Sequence, residues 1–361
     1  MKEKIVLCSK ILIVLCLVLS VEPAISQEIM HTSCHDAKKL LTHAVSVGSP
    51  NARIYTRNDW KDNFARSVWD MQLYNGRVYF GCGDSVFNRG PIVIWSFTTD
   101  GDPDKVKFIC EFKACQESVE VFRVFGDKMY VPGINDSRGM ETNPAIETTF
   151  EPDSASVYVK SGDKWHRYNT IRYGAHIFDV AEFQGKLYAV GSAYFPDDDK
   201  DLAVLFESTD GGRSWNVGTK QSADKCFFSV FPFRKEGLIL GTKGFGAGLY
   251  LNREYKKISS PLYPPLRYKA TIRRMQQYDD GVVYTTSYNY PGDSRDRREG
   301  SPLMFLKDIN KGAKIVELFK TAMVEDIVIN GHSCTVLTSK TEGDAYRDEI
   351  YTSQNLKEWV R

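Results

Sequence analysis

The chain has 361 residues, 47 Lys and Arg against 46 Asp and Glu, a formal net charge of +1 and an aromatic content of 12%. A balanced charge with no long basic run excludes a nucleic-acid binder that works by counterion release. No Cys-x-x-Cys zinc spacing, Gly-x-Ser-x-Gly elbow, phosphate-binding loop or His-Glu-x-x-His is present, so the commonest catalytic and metal signatures are missing.

The first 26 residues have the pattern of an export signal. Lys2 and Lys4 precede the apolar run from Ile11 to Val21, and Ala24-Ile25-Ser26 offers a small-x-small cleavage site. The run falls short of the roughly 20 residues a membrane helix needs. The expectation is cleavage after Ser26 and a secreted or periplasmic protein with no remaining membrane span; an uncleaved anchor is the alternative. Losing the leader's three lysines and two glutamates leaves 44 basic and 44 acidic side chains. Cys34, Cys82, Cys110, Cys115, Cys226 and Cys334 then remain, an even number that suits either disulfides in an oxidising compartment or buried thiols. Cys82 and Cys115 are expected to be neighbours able to bridge. Asn135-Asp136-Ser137 is a glycosylation sequon.

Residues 27–66 read as an N-terminal extension. Ala37, Leu40, Leu41 and Ala44 give His31 to Val47 a short helical pattern. Ala52 to Trp60 looks like a strand without a hairpin partner. Such a strand is expected to join the last blade of a closed ring and remove an open edge.

From residue 67 to 361 one phrase recurs six times: alternating apolar strand, tight turn, second strand. Its copies begin at Trp69, Glu120, Phe178, Phe227, Ile272 and Val324, and their turns centre on 76, 127, 185, 237, 281 and 331. The steps of 51, 58, 52, 44 and 50 residues, with strand chemistry in every unit, predict an all-β β-propeller. Six four-stranded blades fit the count, with a seventh, degenerate blade as the alternative. After each hairpin come a long polar loop, a third strand, a short turn and a fourth strand. Alternating strand direction puts the tight turns on one face of the disc and the long loops on the other, where binding residues concentrate.

The third unit carries Ser208-Thr209-Asp210-Gly211-Gly212-Arg213-Ser214-Trp215 on its third-to-fourth turn. This S-x-D-x-G-x-x-W string is the Asp box, and with the six hairpins it makes the chain resemble the sialidase-like superfamily of bacterial-neuraminidase-repeat propellers. The resemblance implies a structural role for Ser208, Asp210, Gly212 and Trp215, on the face remote from substrate. Thr352 to Trp359 is a shortened echo of the box, and Ser161 to Trp165 a weaker one. Members of the family grip a substrate carboxylate with three arginines, one of them in a Phe-Arg-Ile-Pro stretch. That stretch is absent here, and no motif assigns Arg123, Arg172 or Arg274 to such a triad.

Counting six residues back from the turn glycine or its equivalent aligns Asp70, Asp179 and Glu325 at the loop-face ends of innermost strands; Val121 and Met275 occupy the place in two other units, and Val230, one residue further back, in the fourth. The three acids offer a sugar or cation site, or an acid/base pair. Equally, they could bond neighbouring backbone amides and hold the blades together. His176 at a strand entry and Tyr288 in a long loop are the other catalytic candidates. Asp84, Asn88, Arg89, Arg172, Arg274 and Tyr290 are ligand-binding candidates, since carboxylate, amide, guanidinium and aromatic groups suit hydroxyl-rich ligands. Asp197, Asp199 and Asp201 form a weak Ca²⁺ candidate without the EF-hand glycine and glutamate; no other cofactor is expected. The reading is a propeller that binds an extracellular glycan or protein on its long-loop face. The alternative is a glycoside hydrolase or polysaccharide lyase using carboxylates, His and Tyr.

Overall fold

The structure, a computed structural model, describes residues 68–83, 91–98, 106–136, 146–222, 226–242, 246–259, 262, 270–288, 301–320, 322–342 and 345–361. The leader, the helical pattern at 31–47 and the spare strand at 52–60 lie outside these residues. So do Asp84, Asn88, Arg89, Tyr290 and the side chain of Tyr288.

The described chain is nearly all β, in six small sheets arranged as the blades of a propeller. Blade 1 holds β1 (Asp70–Tyr74), β2 (Arg77–Gly81), β3 (Ile92–Thr98) and β4 (Ile109–Ala114), in that order from the axis outward. Next come β5 (Gln116–Ser118), β6 (Arg123–Phe125), β7 (Lys128–Pro132), β8 (Ile134–Asp136), β9 (Glu147–Phe150), β10 (Ser154–Ser161) and β11 (Lys164–Arg172). Blade 2 runs β6-β7-β10-β11-β9, its outermost strand parallel to β11. Blade 3 is β12 (Gly174–Phe183), β13 (Lys186–Ala193), β14 (Leu202–Ser208) and β15 (Asn216–Gln221), extended inward by β8 and β5. Blade 4 is β16 (Phe227–Phe233), β17 (Gly237–Thr242), β18 (Ala247–Leu251) and β19 (Glu254–Lys257). Blade 5 is β20 (Ala270–Tyr278), β21 (Gly281–Tyr288), β22 (Met304–Asp308) and β23 (Gly312–Ile315). Blade 6 has three described strands, β24 (Met323–Asn330), β25 (Ser333–Glu342) and β26 (Ala345–Ser353). The four-strand rule thus holds for blades 1, 4 and 5. In blades 2 and 3 the segment entering the second unit (β5) and that unit's long excursion (β8 and β9) add strands to the sheets, because short segments crossing a blade edge find unpaired backbone there.

Period-2 alternation makes both faces of a blade apolar, and each is buried against a neighbour. One cluster sets Tyr79, Ile94 and Phe112 of blade 1 against Met129, Tyr158 and Trp165 of blade 2. Equivalent clusters fill the junctions of blades 2 and 3, 3 and 4, 4 and 5, and 5 and 6. Val78, Phe80 and Phe97 form a sixth on the other face of blade 1, where the rings of Phe80, Phe97 and Phe108 meet edge to face or tilted. Cys82 and Cys115 are both buried and are not joined by a disulfide.

The tight turns do share one face. Asn75 and Gly76 both take positive φ (48° and 72°), the type I′ geometry that matches strand twist. Tyr74 beside this turn donates its hydroxyl to Asp127 O (2.6 Å) in the blade 2 turn. The blade 4 turn touches that of blade 5 through Arg234 Nε to Asp280 O (2.8 Å), and Asp279 there meets His332 of blade 6 (2.7 Å).

The Asp box caps the β14–β15 turn on this same face. Asp210 Oδ1 accepts from the amides of Arg213 and Ser214 (3.0 Å each), and Oδ2 from Ser214 Oγ (2.6 Å). Ser208 Oγ accepts from Gly212 N (2.9 Å), and Trp215 Nε1 donates to Gly212 O (3.0 Å). Partial burial alone would raise the Asp210 pKa, but the Ser214, Ser208 and Arg213 donors outweigh it and leave it lowered. The echo in blade 6 repeats the pattern with an amide: Asn355 Oδ1 accepts from Lys357 N and Glu358 N (2.9 Å each). Ser161 to Trp165, by contrast, is a plain hairpin turn between β10 and β11. Replacing Asp210 with alanine strands several turn amides and is expected to cost about 1–2 kcal/mol in urea unfolding, with ligand behaviour unchanged.

Candidate functional site

Charged side chains stand on the innermost strands, where two arginines bridge three aspartates. Blade 1 contributes Asp70, blade 2 Arg123, blade 3 Asp179, blade 5 Arg274 and blade 6 Asp326; blade 4 supplies the Val230 amide. The Arg123 guanidinium meets Asp179 side-on, Nε to Oδ1 at 2.9 Å and Nη2 to Oδ2 at 3.0 Å. Asp179 Oδ1 also accepts from Val180 N (2.9 Å), and Oδ2 from Val230 N (3.2 Å). A carboxylate has about four lone-pair positions, so Asp179 is saturated. Asp70 is held the same way, by Phe122 N (2.7 Å) on Oδ2 and Arg274 Nη1 (2.5 Å) on Oδ1. Arg274 further donates to Trp69 O and lies 3.8 Å from Asp326 Oδ1. One guanidinium from blade 5 therefore ties blade 6 to blade 1.

Backbone irregularities aim these groups inward. β-Bulges interrupt β12 between Ile177 and Asp179, β24 between Val324 and Asp326, and β20 between Arg273 and Gln276. A bulge inserts one residue and redirects the side chain that follows. Arg274 sits inside its bulge at φ 54°, a left-handed conformation that a long side chain avoids unless its surroundings enforce it. Burial on its own would lower the pKa of Arg274, but Asp326 and Asp70 push it the other way more strongly, and it is raised; Arg123 is raised likewise by Asp179 against its own burial. Both stay charged.

At the loop-face end of β12, His176 lies over Phe178 (centroids 5.8 Å, planes 10° apart), and Phe178 packs on Phe228 at 4.3 Å. His176 Nδ1 is 3.1 Å from Ser192 Oγ. Burial lowers its pKa below the usual histidine value, while Asp201 and Glu120 oppose the shift in part. The native state thus binds less proton here than the unfolded chain does. Stability is expected to fall as pH drops below about 6.5, where the unfolded histidine charges and the buried one resists. Unfolding of His176→Gln between pH 7.5 and 5 should show a flatter slope than the parent.

The sequence candidates divide. Asp70 and Asp179 stand on innermost strands and bond to arginines and amides of other blades. Glu325 is replaced there by Asp326, and Met275 by Arg274, because the bulges shift the count by one; Met275 is instead a buried core residue of the blade 4–5 junction. Arg123, Arg172 and Arg274 form no triad: Arg123 and Arg274 are held by aspartates, and Arg172 stacks on Tyr173 far out on blade 2. Among the described residues no three His, Cys, Asp or Glu side chains gather as a metal site, Asp197, Asp199 and Asp201 included. Asp198 of that loop pairs with Lys220 at 3.0 Å. No helix among the described residues is long and apolar enough to cross a membrane.

No protein-family model matches the sequence, and neither does any curated protein. Solved structures with a similar fold include Pyrococcus horikoshii acylaminoacyl peptidase (11% identity, TM-score 0.47), where 81% of this chain covers 45% of that one. Trypanosoma rangeli sialidase in complex with 2,3-difluorosialic acid is similar at 12% identity and TM-score 0.45, over 81% of this chain and 55% of that one. A putative exo-β-1,3-galactanase from Bifidobacterium bifidum is similar at 11% identity and TM-score 0.37, over 64% and 86%. The chain spans less than half the length of the acylaminoacyl peptidases it matches. Six sheets arranged as blades make the fold a β-propeller, with an Asp box formed on the β14–β15 turn.

Proposed function

We propose that the protein is an exported, non-hydrolytic propeller that binds a glycan or protein ligand on its long-loop face. The saturation of Asp179 carries this reading. A hydrolase needs one carboxyl able to give up a proton and a second able to attack or to activate water, roughly 5–10 Å away. Asp179 has its acceptor positions filled by Arg123, Val180 and Val230, and Asp70 is held by Arg274 and Phe122. Asp179 has no acceptor position left for a substrate, and Asp70 is drawn into an ion pair with Arg274. Recognition needs only aromatic and polar side chains, of which the half-buried His176 and Phe178 stand at the loop-face end of β12. The test is a glycan array read for both retention and turnover, with reducing ends and unsaturated uronate absorbance followed on every glycan retained. Retention without product is the expected result. Product formation that disappears in His176→Ala would replace this reading with the lyase or hydrolase alternative.

A further inference from the structure

The charged groups of the innermost strands are taken up in bonds between blades, and a platform for a ligand stands away from them at the rim between blades 2 and 3. Arg172, at the end of β11, stacks on the ring of Tyr173 at 4.8 Å. Tyr173 packs on Phe195 at 5.4 Å, and Lys220 Nζ lies 4.7 Å from the centroid of the Phe195 ring. Two observations mark this row as more than loop packing. Tyr173 is held at φ 64°, a conformation costly for a bulky aromatic, and its amide and carbonyl are fixed by Asp153 O (2.8 Å) and Tyr194 N (3.0 Å). Tyr194 beside it is 55% exposed, and no described ring packs on it.

From this we infer that the blade 2–3 rim is a subsite for a neutral, hydroxyl-rich sugar, with Tyr194 as the stacking surface and Arg172 as the donor to its hydroxyls. The inference rests on the loop-face reading above and narrows it. Neutrality follows from the mixture of charge. No carboxylate among the described residues pairs with Arg172, which leaves its N–H fork open, but Lys220 is already taken by Asp198 in an acidic loop. A polyanion would gain one guanidinium and meet several carboxylates. A neutral ring meets none of that repulsion: its apolar C–H face suits Tyr194, and its hydroxyls can both accept from Arg172 and donate to the loop.

The experiment is titration calorimetry of the full chain against a β-glucan, a mannan and an arabinogalactan as neutral probes, and against polygalacturonate and hyaluronate as acidic ones. Binding to at least one neutral polymer is expected, changing less than about twofold between 50 and 500 mM NaCl. Tyr194→Ala and Arg172→Gln should each weaken it tenfold or more, with an unchanged melting temperature. Tighter binding of an acidic polymer with steep salt dependence overturns the neutral assignment. Binding of a neutral polymer that both variants retain removes the rim as the site but leaves the loop-face reading standing. A parent chain that binds no glycan sinks the rim inference and the glycan half of the proposed function together.

Discussion

Asp179→Ala is expected to destabilise the protein by about 3–5 kcal/mol, the cost of leaving one member of a buried ion pair without its partner. The carboxylate is 2% exposed and receives four hydrogen bonds. Its loss strands the Arg123 guanidinium, which burial alone disfavours, and uncouples the Val230 amide that joins blade 3 to blade 4. Asp179→Asn keeps the shape, but one of its two heteroatoms becomes a donor facing donors; a cost of about 1.5–3 kcal/mol is expected. Equilibrium urea unfolding measures both. A double variant, Asp179→Leu with Arg123→Met, removes both charges and should recover much of the loss, because neither is then buried alone. Unchanged stability in Asp179→Ala together with lost ligand binding would reverse the assignment and return the residue to a functional role.

This lock was half legible in the sequence. Carboxylates on innermost strands stand out against apolar alternation, and Asp70 and Asp179 were found by counting back from the turn glycine. Counting failed in blade 6 because β24 carries a bulge, and a bulge changes the number of residues between turn and axis without changing composition. A different signal was present. Asp70-Met71, Asp179-Val180 and Asp326-Ile327 each place an aspartate before a large apolar residue. In β12 and β24 the aspartate accepts from that next residue's amide, at 2.9 Å in both. Aligning on this dipeptide selects Asp326, where aligning on the turn selects Glu325. Arg274 had no such local mark: its role depends on a partner 204 residues away and on a backbone conformation that no residue type announces. The hairpins and the Asp box were legible because alternation, turn glycines and cap residues act over a few residues, the range in which sequence and geometry are coupled. The rim platform was not, since Tyr173, Phe195 and Lys220 meet only through the packing of two blades.

Gly191→Ala is expected to be among the most damaging single-methyl changes in the chain. In β13 the residue faces the bulge of β12, and a Cβ built on it would stand 1.7 Å from His176 O and 2.8 Å from His176 C. Both are backbone atoms, so no rotamer change relieves the contact. Relief requires β12 to move away from β13, which breaks the register that sets Ile177 against Gly191 and Asp179 against Val190. Three dependent features then shift: the His176–Ser192 contact, the stack of His176 on Phe178, and the bulge that aims Asp179 at Arg123. A loss of about 3 kcal/mol or more is expected, the range of severe overpacking, or failure to fold. Native-state hydrogen exchange distinguishes this mechanism from a local loop effect. If the bulge seats the lock, the amides of Val180 and Val230 lose protection together, although they lie on different blades. If only the loop is disturbed, Val230 keeps its protection, and the bulge has no part in joining blade 3 to blade 4.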